Sequence, residues 1–344
     1  MSVLMFYTEW AVSRAVMLAW PDEETDWVHN DLKLVQEDYL SIIKSLSDYI
    51  TPWIICRTAQ HRDYIIQRMQ EAGDLKHSLY ISLCAYDDTW IRDYGPLTRY
   101  GTNTCELNDF EFNAWGDKYS ASDDRLLVKR LWESGEFERV LGSDFKLEYR
   151  AHDWVLEGGS IDVSTDGVLI TTKNCLLNSN RTGWNAERIE EHLRHDLGVH
   201  QVLWLNHGHL IGDDTDAHVD TIVRWGRDRE IIIQGGSPSS DRQNESLEKL
   251  HQEILAFKEQ GLISTIWQLP LPKAVYEGKR RLPASYANFL VTPRALFVPT
   301  YQCEQDLQAL EILHHAFPEH HIVAVPGKEL VRQNGSLHCA TMQV

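Results

Sequence analysis

A segment near the middle of the sequence concentrates groups that could bind a cation. In GDDTDAHVD, residues 212–220, the alternating positions are Asp214, Asp216, His218 and Asp220. On a β-strand these side chains would share one face, where three carboxylates and an imidazole repel one another and resist burial. Such a face requires a cation, either a metal ion or a guanidinium group. A solvated acidic loop explains the pattern equally well, whereas an EF-hand would need a glycine and a distal glutamate in register.

A cysteine near the C-terminus supplies a nucleophile. Cys339 lies in NGSLHCAT, and on a strand its side chain would point away from that of the adjacent His338. We therefore do not expect His338 to be the base for Cys339. A lone cysteine is most often an inert buried residue, so this position alone predicts no activity.

Two further acidic residues stand beside glycine-containing turns. Asp93 in WIRDYGP precedes a Gly-Pro turn, and Glu157 precedes two glycines that allow another group to approach the backbone closely. Taken alone, these features are better explained by a turn-stabilising aspartate and a β-bulge. If the fold brings them to Cys339 and His218, a specific chemistry follows. Two carboxylates can bind guanidinium N–H groups, a thiolate can attack the guanidinium carbon, and an imidazole can transfer protons.

The order of predicted elements indicates how these residues could meet. Hydrophobic patterns and turn residues predict a strand–strand–helix–strand unit that recurs along the chain. Four predicted copies span 89–150, 155–205, 218–269 and 285–325. A fifth copy is made of the two ends of the chain, 334–343 and 15–56. A helix and a strand at 59–83 are an insertion.

Polar residues recur near the start of the first strand of successive copies. They are Asp93, Glu157, Asp220 and Asn288, at steps of 64, 63 and 68 residues. A near-constant step is expected for equivalent units of a ring, whereas a doubly wound sheet would lack the extra hairpin strand. We therefore predict a single catalytic α/β domain over residues 1–344, a closed ring of five ββαβ units whose first strands face a central funnel.

Composition restricts the partners and the location of the protein. The formal net charge of −18 disfavours nucleic acid and anionic membranes and would attract a small cation, although solubility alone explains such acidity. The six cysteines form no C-x-x-C pair, which argues against zinc ribbons and thioredoxin-like redox centres.

The N-terminal stretch lacks the basic region and cleavage site of a secretory signal, and no apolar run is long enough for a membrane span. We therefore expect a cytoplasmic protein.

Separated motifs in a fixed order give the sequence a family resemblance. They are AVMLAWP, WIRDYGP, FNAWGDKY, EGGSI, TTKNCLLNSNR, GDDTDAHVD, SYANF and LHCATMQ, and they run through nearly the whole chain. In these motifs the sequence resembles the agmatine deiminase branch of the guanidine-modifying pentein superfamily. The resemblance implies the pentein fold, a five-bladed α/β propeller, and a hydrolase that needs no metal or organic cofactor.

The resemblance also implies a role for each candidate catalytic residue. Cys339 is expected to be the nucleophile that forms a covalent amidino-thioether intermediate. His218 is expected to be the general acid and base, and Glu157 the partner that orients it. Asp93 and Asp220 are expected to bind the guanidinium group.

The implied substrate is agmatine, a small cationic guanidine that water converts to N-carbamoylputrescine and ammonia for polyamine supply or agmatine disposal. Trp90 is expected to line the channel through a cation–π contact, and Asp214 or Asp216 to receive the distal ammonium. The sequence has Ala217 where relatives often have glycine, and NGSLHC where they have a glycine-rich run and Asn-Ile-His. Both departures affect the pocket wall, so they bear on substrate preference and not on the chemistry. Relatives often form dimers, which leaves a homodimer open.

Three other functions remain open at this point. One is a hydrolase of the same superfamily that acts on peptidyl-arginine or another guanidine. A second is a metallohydrolase that uses the alternating residues of 212–220, which a chelator would inhibit. A third is a non-catalytic binding protein on the same propeller, which would have no use for a cysteine, a histidine and carboxylates together.

Overall fold

The computed structural model describes residues 6, 8–27, 29–73, 75–237 and 239–344. In this part of the chain, short strands form five sheets of three or four strands and one separate two-stranded hairpin. No helix in these ranges combines the length and the apolar character needed to cross a membrane.

The strands, in chain order, are β1 (Ala15–Ala19), β2 (Thr51–Cys56), β3 (Tyr80–Leu83), β4 (Leu97–Tyr100), β5 (Thr104–Glu111), β6 (Lys146–Val155), β7 (Ile161–Val163), β8 (Val168–Thr172), β9 (Gln201–Leu205), β10 (Val223–Trp225), β11 (Ile231–Gln234), β12 (Ile266–Leu269), β13 (Tyr276–Glu277), β14 (Arg280–Arg281), β15 (Leu290–Val291), β16 (Ala295–Thr300), β17 (His321–Pro326) and β18 (Met342–Gln343). The helices are α1 (His29–Leu46), α2 (Ala59–Glu71), α3 (Ile91–Tyr94), α4 (Ala114–Asp117), α5 (Leu127–Glu133), α6 (Glu136–Leu141), α7 (Lys173–Leu176), α8 (Ala186–Leu197), α9 (Asn244–Glu259) and α10 (Gln305–Ala316). Short 3₁₀ turns lie at Asp124–Leu126, Gly158–Ser160, Val219–Thr221 and Leu330–Gln333.

One structural unit recurs around the molecule. In the sheet β7-β8-β9, the first two strands pair antiparallel, and the second and third pair parallel across a helical connection. The same order holds for β4-β5-β6, β10-β11-β12 and β15-β16-β17. The fifth sheet joins the two ends of the chain, because β18 pairs antiparallel with β1 and β1 pairs parallel with β2, to which β3 is added. The predicted five ββαβ units are confirmed, with the inserted helix and strand.

The sequence of each unit suits its position in the fold. The middle strand β8 (VLITT) is buried at every position, as expected for a strand with both neighbours and both faces covered. The following helix α8 buries one face through Ile189, Leu193 and Leu197. It begins after Asn185, whose side chain accepts a backbone N–H of the first turn, and it ends at Gly198 with φ of 76°.

Hydrogen bonds between neighbouring units close the ring. The segments that precede the first strands contact one another in cyclic order, so the fifth unit meets the one that contains α3. In ring order the links are Gly159 N to Asp93 Oδ1, His218 Nε2 to Glu157 Oε2, Asn288 Nδ2 to Asp220 O, His338 N to Asn288 O, and Arg92 N to Cys339 O. The expected five-bladed propeller is thereby confirmed.

The polar residues at the centre of the ring lie on short helical turns rather than on strands, which corrects the prediction. Asp93 is in α3, Glu157 immediately precedes a 3₁₀ turn, and Asp220 lies within another. The segment before β10 leaves the strand conformation because Asp216 and Ala217 have φ of 66° and 68°. The carboxylate of Asp213 accepts the backbone N–H groups of Thr215 and Ala217. These local hydrogen bonds replace strand pairing in this segment. The alternating residues of 212–220 therefore share no strand face.

Candidate active site

Gly159 marks the point where an imidazole and two carboxylates converge. Its backbone N–H donates to Asp93 Oδ1 at 2.9 Å. A Cβ atom at this position would lie 2.7 Å from His218 Nδ1, 2.9 Å from Asp93 Oδ1 and 3.0 Å from Asp220 Oδ2. Glycine is required here because any side chain would collide with these three groups. The ring therefore brings three of the candidate residues together.

The candidate nucleophile lies beside the same group. Cys339 is 7% exposed, and its Sγ atom is 3.3 Å from Asn288 Nδ2 and 3.9 Å from Asp220 Oδ2. Asn288 Oδ1 also accepts the backbone N–H of His338 at 2.9 Å, which fixes the turn that carries the thiol. Burial, together with the charges of Asp220 and Asp93, raises the pKa of Cys339 well above its ordinary value. The thiol of the free protein is therefore protonated at neutral pH.

His218 is oriented by a buried acid that an arginine holds in turn. Its Nε2 atom lies 3.0 Å from Glu157 Oε2, and Arg181 Nε donates to Glu157 Oε1 at 2.8 Å. Burial acts to lower the pKa of His218, but the charge of Asp93 and the hydrogen bond to Glu157 outweigh it and raise the pKa well above its ordinary value. Burial acts to raise the pKa of Glu157, and its bonds to His218 and Arg181 outweigh that effect and lower it. An imidazolium therefore faces a carboxylate.

The two carboxylates near the thiol are held differently. Trp115 Nε1 donates to Asp93 Oδ2 at 2.9 Å, whereas His338 Nδ1 donates to Asp220 Oδ2 at 2.7 Å. Burial raises the pKa of Asp93. Burial acts on Asp220 in the same sense, but the hydrogen bond and the charge of His338 outweigh it and lower that pKa. His338, which the sequence predicts not to be the base for Cys339, is therefore the anchor of Asp220.

Two polar atoms of this group make no hydrogen bond within the described part of the chain. Among the described residues, Asp220 Oδ1 and His218 Nδ1 are buried and make no hydrogen bond. A buried polar atom without a partner costs free energy, about 1–3 kcal/mol, so a ligand that donates an N–H group to Asp220 Oδ1 would recover that cost, while the protonated Nδ1 of His218 is left to donate. A planar cation with several N–H donors, such as a guanidinium group, meets this requirement together with the adjacent carboxylate of Asp93.

Aromatic and acidic side chains line the pocket that reaches the thiol. The lining includes Trp90, Asp93, Cys339, Tyr119, Asp88 and Asp214. Trp90 is fixed against the backbone of Gly335, where a Cβ atom would come within 2.2 Å of the indole ring. The pocket therefore combines flat apolar walls with negative charge, a composition suited to a cation with an apolar stem.

The two aspartates expected to receive a distal ammonium differ in their surroundings. Asp214 lines the pocket and accepts hydrogen bonds from Asn334 Nδ2 at 2.9 Å and from Tyr119 OH at 3.2 Å. Both of these partners are neutral. Asp216 instead accepts from the guanidinium of Arg181, which compensates its charge within the protein. Of the two, Asp214 is the one placed to attract a cation in the pocket.

One group of described residues has the spacing of metal ligands, but its surroundings do not fit a metal ion. Glu157, Cys175 and His218 offer three donor atoms within 4.8 Å of one another. Arg181 already pairs with Glu157 at 2.8 Å, so a divalent cation would be repelled by a fixed guanidinium charge. Burial raises the pKa of Cys175 to about 11, so its thiol is protonated and is a poor ligand. The acids of 212–220 form no second group of this kind in the described part of the chain.

Several residues that shape the site carry no role in the sequence-based prediction. Asn288 belongs to the repeat series without an assigned function, and Trp115, Arg181 and His338 stand in or beside the motifs. Each donates to a carboxylate or contacts the thiol only because the ring brings distant segments together. Trp115 in FNAWGDKY and Arg181 in TTKNCLLNSNR could have been found by asking which donors in the motifs would compensate buried acids.

Known proteins resemble this chain over almost its whole length. The model of the Porphyromonas-type peptidyl-arginine deiminase family matches residues 5–344. The agmatine deiminase of Pseudomonas aeruginosa (strain LESB58) is 30% identical over 359 residues, which cover 97% of this chain and 94% of that protein. A substrate-bound agmatine deiminase from C. jejuni superposes with a TM-score of 0.87 at 31% identity and covers 99% of this chain and 96% of its own.

A second solved relative extends the comparison. The agmatine deiminase of Enterococcus faecalis superposes with a TM-score of 0.85 at 26% identity, over 99% of this chain and 95% of its own. The resemblance drawn from the motifs is confirmed by these matches. The chain belongs to the Porphyromonas-type peptidyl-arginine deiminase family.

Proposed function

We propose that the protein is an agmatine deiminase, which hydrolyses the guanidinium group of agmatine to N-carbamoylputrescine and ammonia. The observation that carries this proposal is the convergence on Gly159 of Asp93, Asp220 and His218, beside the buried thiol of Cys339. The carboxylates of Asp93 and Asp220 supply the negative charge that compensates a bound guanidinium group. The relatives named agmatine deiminase support the same substrate.

The reaction begins with binding and activation of the thiol. The guanidinium group donates N–H bonds to Asp93 and to Asp220 Oδ1, which places its positive carbon beside the Sγ atom of Cys339. A cation at that distance lowers the pKa of the thiol, which then loses its proton to solvent. The thiolate attacks the guanidinium carbon, and a carbon–sulfur bond forms.

Proton transfers through His218 complete the two halves of the reaction. The imidazolium gives its proton to the leaving nitrogen, the carbon–nitrogen bond breaks, and ammonia departs from a cationic amidino-thioether. The neutral imidazole then takes a proton from water as the oxygen attacks the same carbon. The carbon–sulfur bond breaks, and the hydroxyl proton of the product passes to solvent, so the product leaves with a neutral carbamoyl group. Cys339 is released as a thiolate and takes a proton from solvent, which restores the protonated thiol of the free protein.

The acidic pocket supports agmatine over arginine. Asp214 lines it with a carboxylate, which attracts the distal ammonium of agmatine and repels the α-carboxylate of arginine, whereas burial raises the pKa of Asp88 in the same wall to about 7. The hydrogen bond between Asn334 and Asp214 joins two sides of the pocket and favours a small substrate over a peptide. A cytoplasmic location, a homodimer and a single domain over 1–344 stay predictions from the sequence.

A direct assay tests the proposal. Ammonia release would be measured from agmatine, arginine and a blocked peptidyl-arginine, with wild type and Cys339→Ala. We expect release from agmatine that the substitution abolishes. Turnover of only the peptidyl-arginine would assign the activity named by the family model instead, and release from no guanidine would contradict the proposal.

A further inference from the structure

A buried group of charges behind the candidate site includes a residue of the N-terminal segment. Glu9 lines a cavity that shares no described lining residue with the pocket of Cys339. Its Oε1 atom accepts from Arg92 Nη1 at 3.0 Å, and its Oε2 atom accepts from Arg224 Nη2 at 2.6 Å. Arg224 Nε also donates to Asp162 at 2.7 Å. Glu9, Arg92, Asp162 and Arg224 are called the rear cluster below.

Glu9 is held as a carboxylate although it is largely buried. Burial acts to raise its pKa, but the charges of Arg224, His338 and Arg92 outweigh burial and lower the pKa well below its ordinary value. The rear cluster therefore offers His338 a fixed negative charge.

His338 connects the rear cluster to the candidate site. Its Nε2 atom lies 2.6 Å from Glu9 Oε1, and its Nδ1 atom lies 2.7 Å from Asp220 Oδ2. An ionised carboxylate can only accept hydrogen bonds, so each ring nitrogen must carry a proton to make both bonds. The ring is therefore an imidazolium, and its orientation is fixed at both ends.

This anchoring determines how Asp220 is presented. Its Oδ2 atom is occupied by His338, and its Oδ1 atom is the buried oxygen without a partner among the described residues. A carboxylate that turns freely presents neither oxygen in a defined direction, whereas one held at Oδ2 presents Oδ1 in a fixed direction.

We infer that Glu9 is a positioning residue, which acts through His338 to hold Asp220 in the orientation that binds a guanidinium group. The kinetic part of this inference rests on the proposed function. The two residues that meet, Glu9 and His338, are 329 positions apart, so the N-terminal segment completes the site from behind.

Two variants separate positioning from general stabilisation. Glu9→Gln removes the charge that faces His338 Nε2. Asp162→Asn is the matched control, because it removes the other carboxylate bound to Arg224 and leaves both hydrogen bonds of His338 in place. We expect Glu9→Gln to raise KM for agmatine about ten- to a hundredfold with a smaller change in kcat, while Asp162→Asn keeps a KM near that of wild type.

Parallel changes in the two variants would overturn the inference. If both lose kcat at an unchanged KM, Glu9 contributes only to the amount of folded enzyme. If both raise KM alike, the effect passes through Arg224 and not through His338.

A spectroscopic measurement tests the ring without any turnover. Nitrogen-15 NMR of histidine-labelled protein reports the protonation of both ring nitrogens, and His338→Gln assigns the signal. We expect a doubly protonated His338 ring in wild type and in Asp162→Asn, and a changed signal in Glu9→Gln. A neutral ring in wild type, or the same signal in Glu9→Gln, would overturn the inference even in an enzyme that hydrolyses agmatine. A doubly protonated ring in a protein inactive on agmatine would instead overturn the proposed function.

Discussion

Two buried groups of charges meet at His338, and they differ in how their charges are compensated. In the rear cluster, two carboxylates face two arginines, and the side chain of Arg224 donates to Asp162, to Glu9 and to the carbonyl of Phe289. In the candidate site, two buried atoms have no partner among the described residues, one on Asp220 and one on His218. The first arrangement is complete without a ligand, whereas the second becomes complete only with one. Substitutions in the candidate site should therefore affect mainly activity, whereas those in the rear cluster should affect mainly stability, except at Glu9, which also contacts His338.

The largest effect is expected at the thiol. Cys339→Ala removes the atom that forms the covalent intermediate, so kcat/KM for agmatine should fall by at least about four orders of magnitude, about 5 kcal/mol of transition-state stabilisation. The midpoint of denaturant unfolding should change little, because the thiol contacts the carboxylate of Asp220 only through a long hydrogen bond of 3.9 Å. Cys303→Ala is the control, since that partly buried cysteine lies apart from the pocket of Cys339. Residual activity near wild type in Cys339→Ala would remove the thiol from the mechanism.

In the rear cluster, removal of the shared arginine should instead lower the free energy of unfolding. Arg224→Met leaves the carboxylates of Glu9 and Asp162 without their shared cation, and breaking a buried ion pair typically costs about 3–5 kcal/mol of unfolding free energy. Urea unfolding followed by fluorescence measures this loss. Arg229→Met is the control, because the pair with Asp166 lies at the surface and should contribute less than about 1 kcal/mol. Equal losses in the two variants would contradict the distinction between the regions.

A smaller effect is expected at the wall of the pocket. Asp214→Asn removes a negative charge without changing the shape of the side chain, so KM for agmatine should rise about tenfold, or about 1.4 kcal/mol, at nearly constant kcat. A guanidine with the same carbon chain and no ammonium serves as the matched substrate and should be unaffected. If both substrates lose affinity equally, Asp214 does not receive the ammonium.

The smallest effect is a displacement of the pH profile. Burial raises the pKa of Asp93, and the protonated carboxyl cannot compensate a guanidinium charge. The value of kcat/KM should therefore decline as pH falls, and this acid limb should lie above the range of an ordinary aspartate. A pH series of initial rates, restricted to the range in which fluorescence shows the protein folded, measures its position. An acid limb in the ordinary aspartate range would contradict the assignment of Asp93 to guanidinium binding.

The fold could be predicted largely because its signals are local. A short apolar run predicts the buried strand β8. An amphipathic pattern, with a capping residue at one end and a glycine at the other, predicts the helix α8. Recurrence of the same order then predicts the ring. The sequence does not predict the turns at the centre, since aspartate is only a weak signal of the left-handed backbone at Asp216 and alanine is no signal of it at Ala217.

The candidate site could be predicted only in part, for a related reason. The acids, His218 and Cys339 stand in motifs that indicate chemistry by their residue types. The residue types do not indicate which side chains hold these groups in place. His338 pairs with Glu9, and Glu157 pairs with Arg181, which stands in another motif. Strand alternation also predicts that the side chains of His338 and Cys339 point apart, whereas both contact Asp220 Oδ2, because the two residues lie in a turn and not in a strand.

The closure of the ring between Arg92 and Cys339 has a consequence for the timing of reactivity during synthesis. The nucleophile is translated after all the acids and the imidazole that surround it, and the strand β18 that completes the fifth sheet follows it. A chain cut short between Cys339 and β18 would carry the thiol but would lack the pairing of β18 with β1 that holds this segment in the ring. The thiol of Cys339 therefore meets Asn288 and Asp220 in a fixed geometry only after β18 has paired with β1, which makes the onset of reactivity a late event in folding.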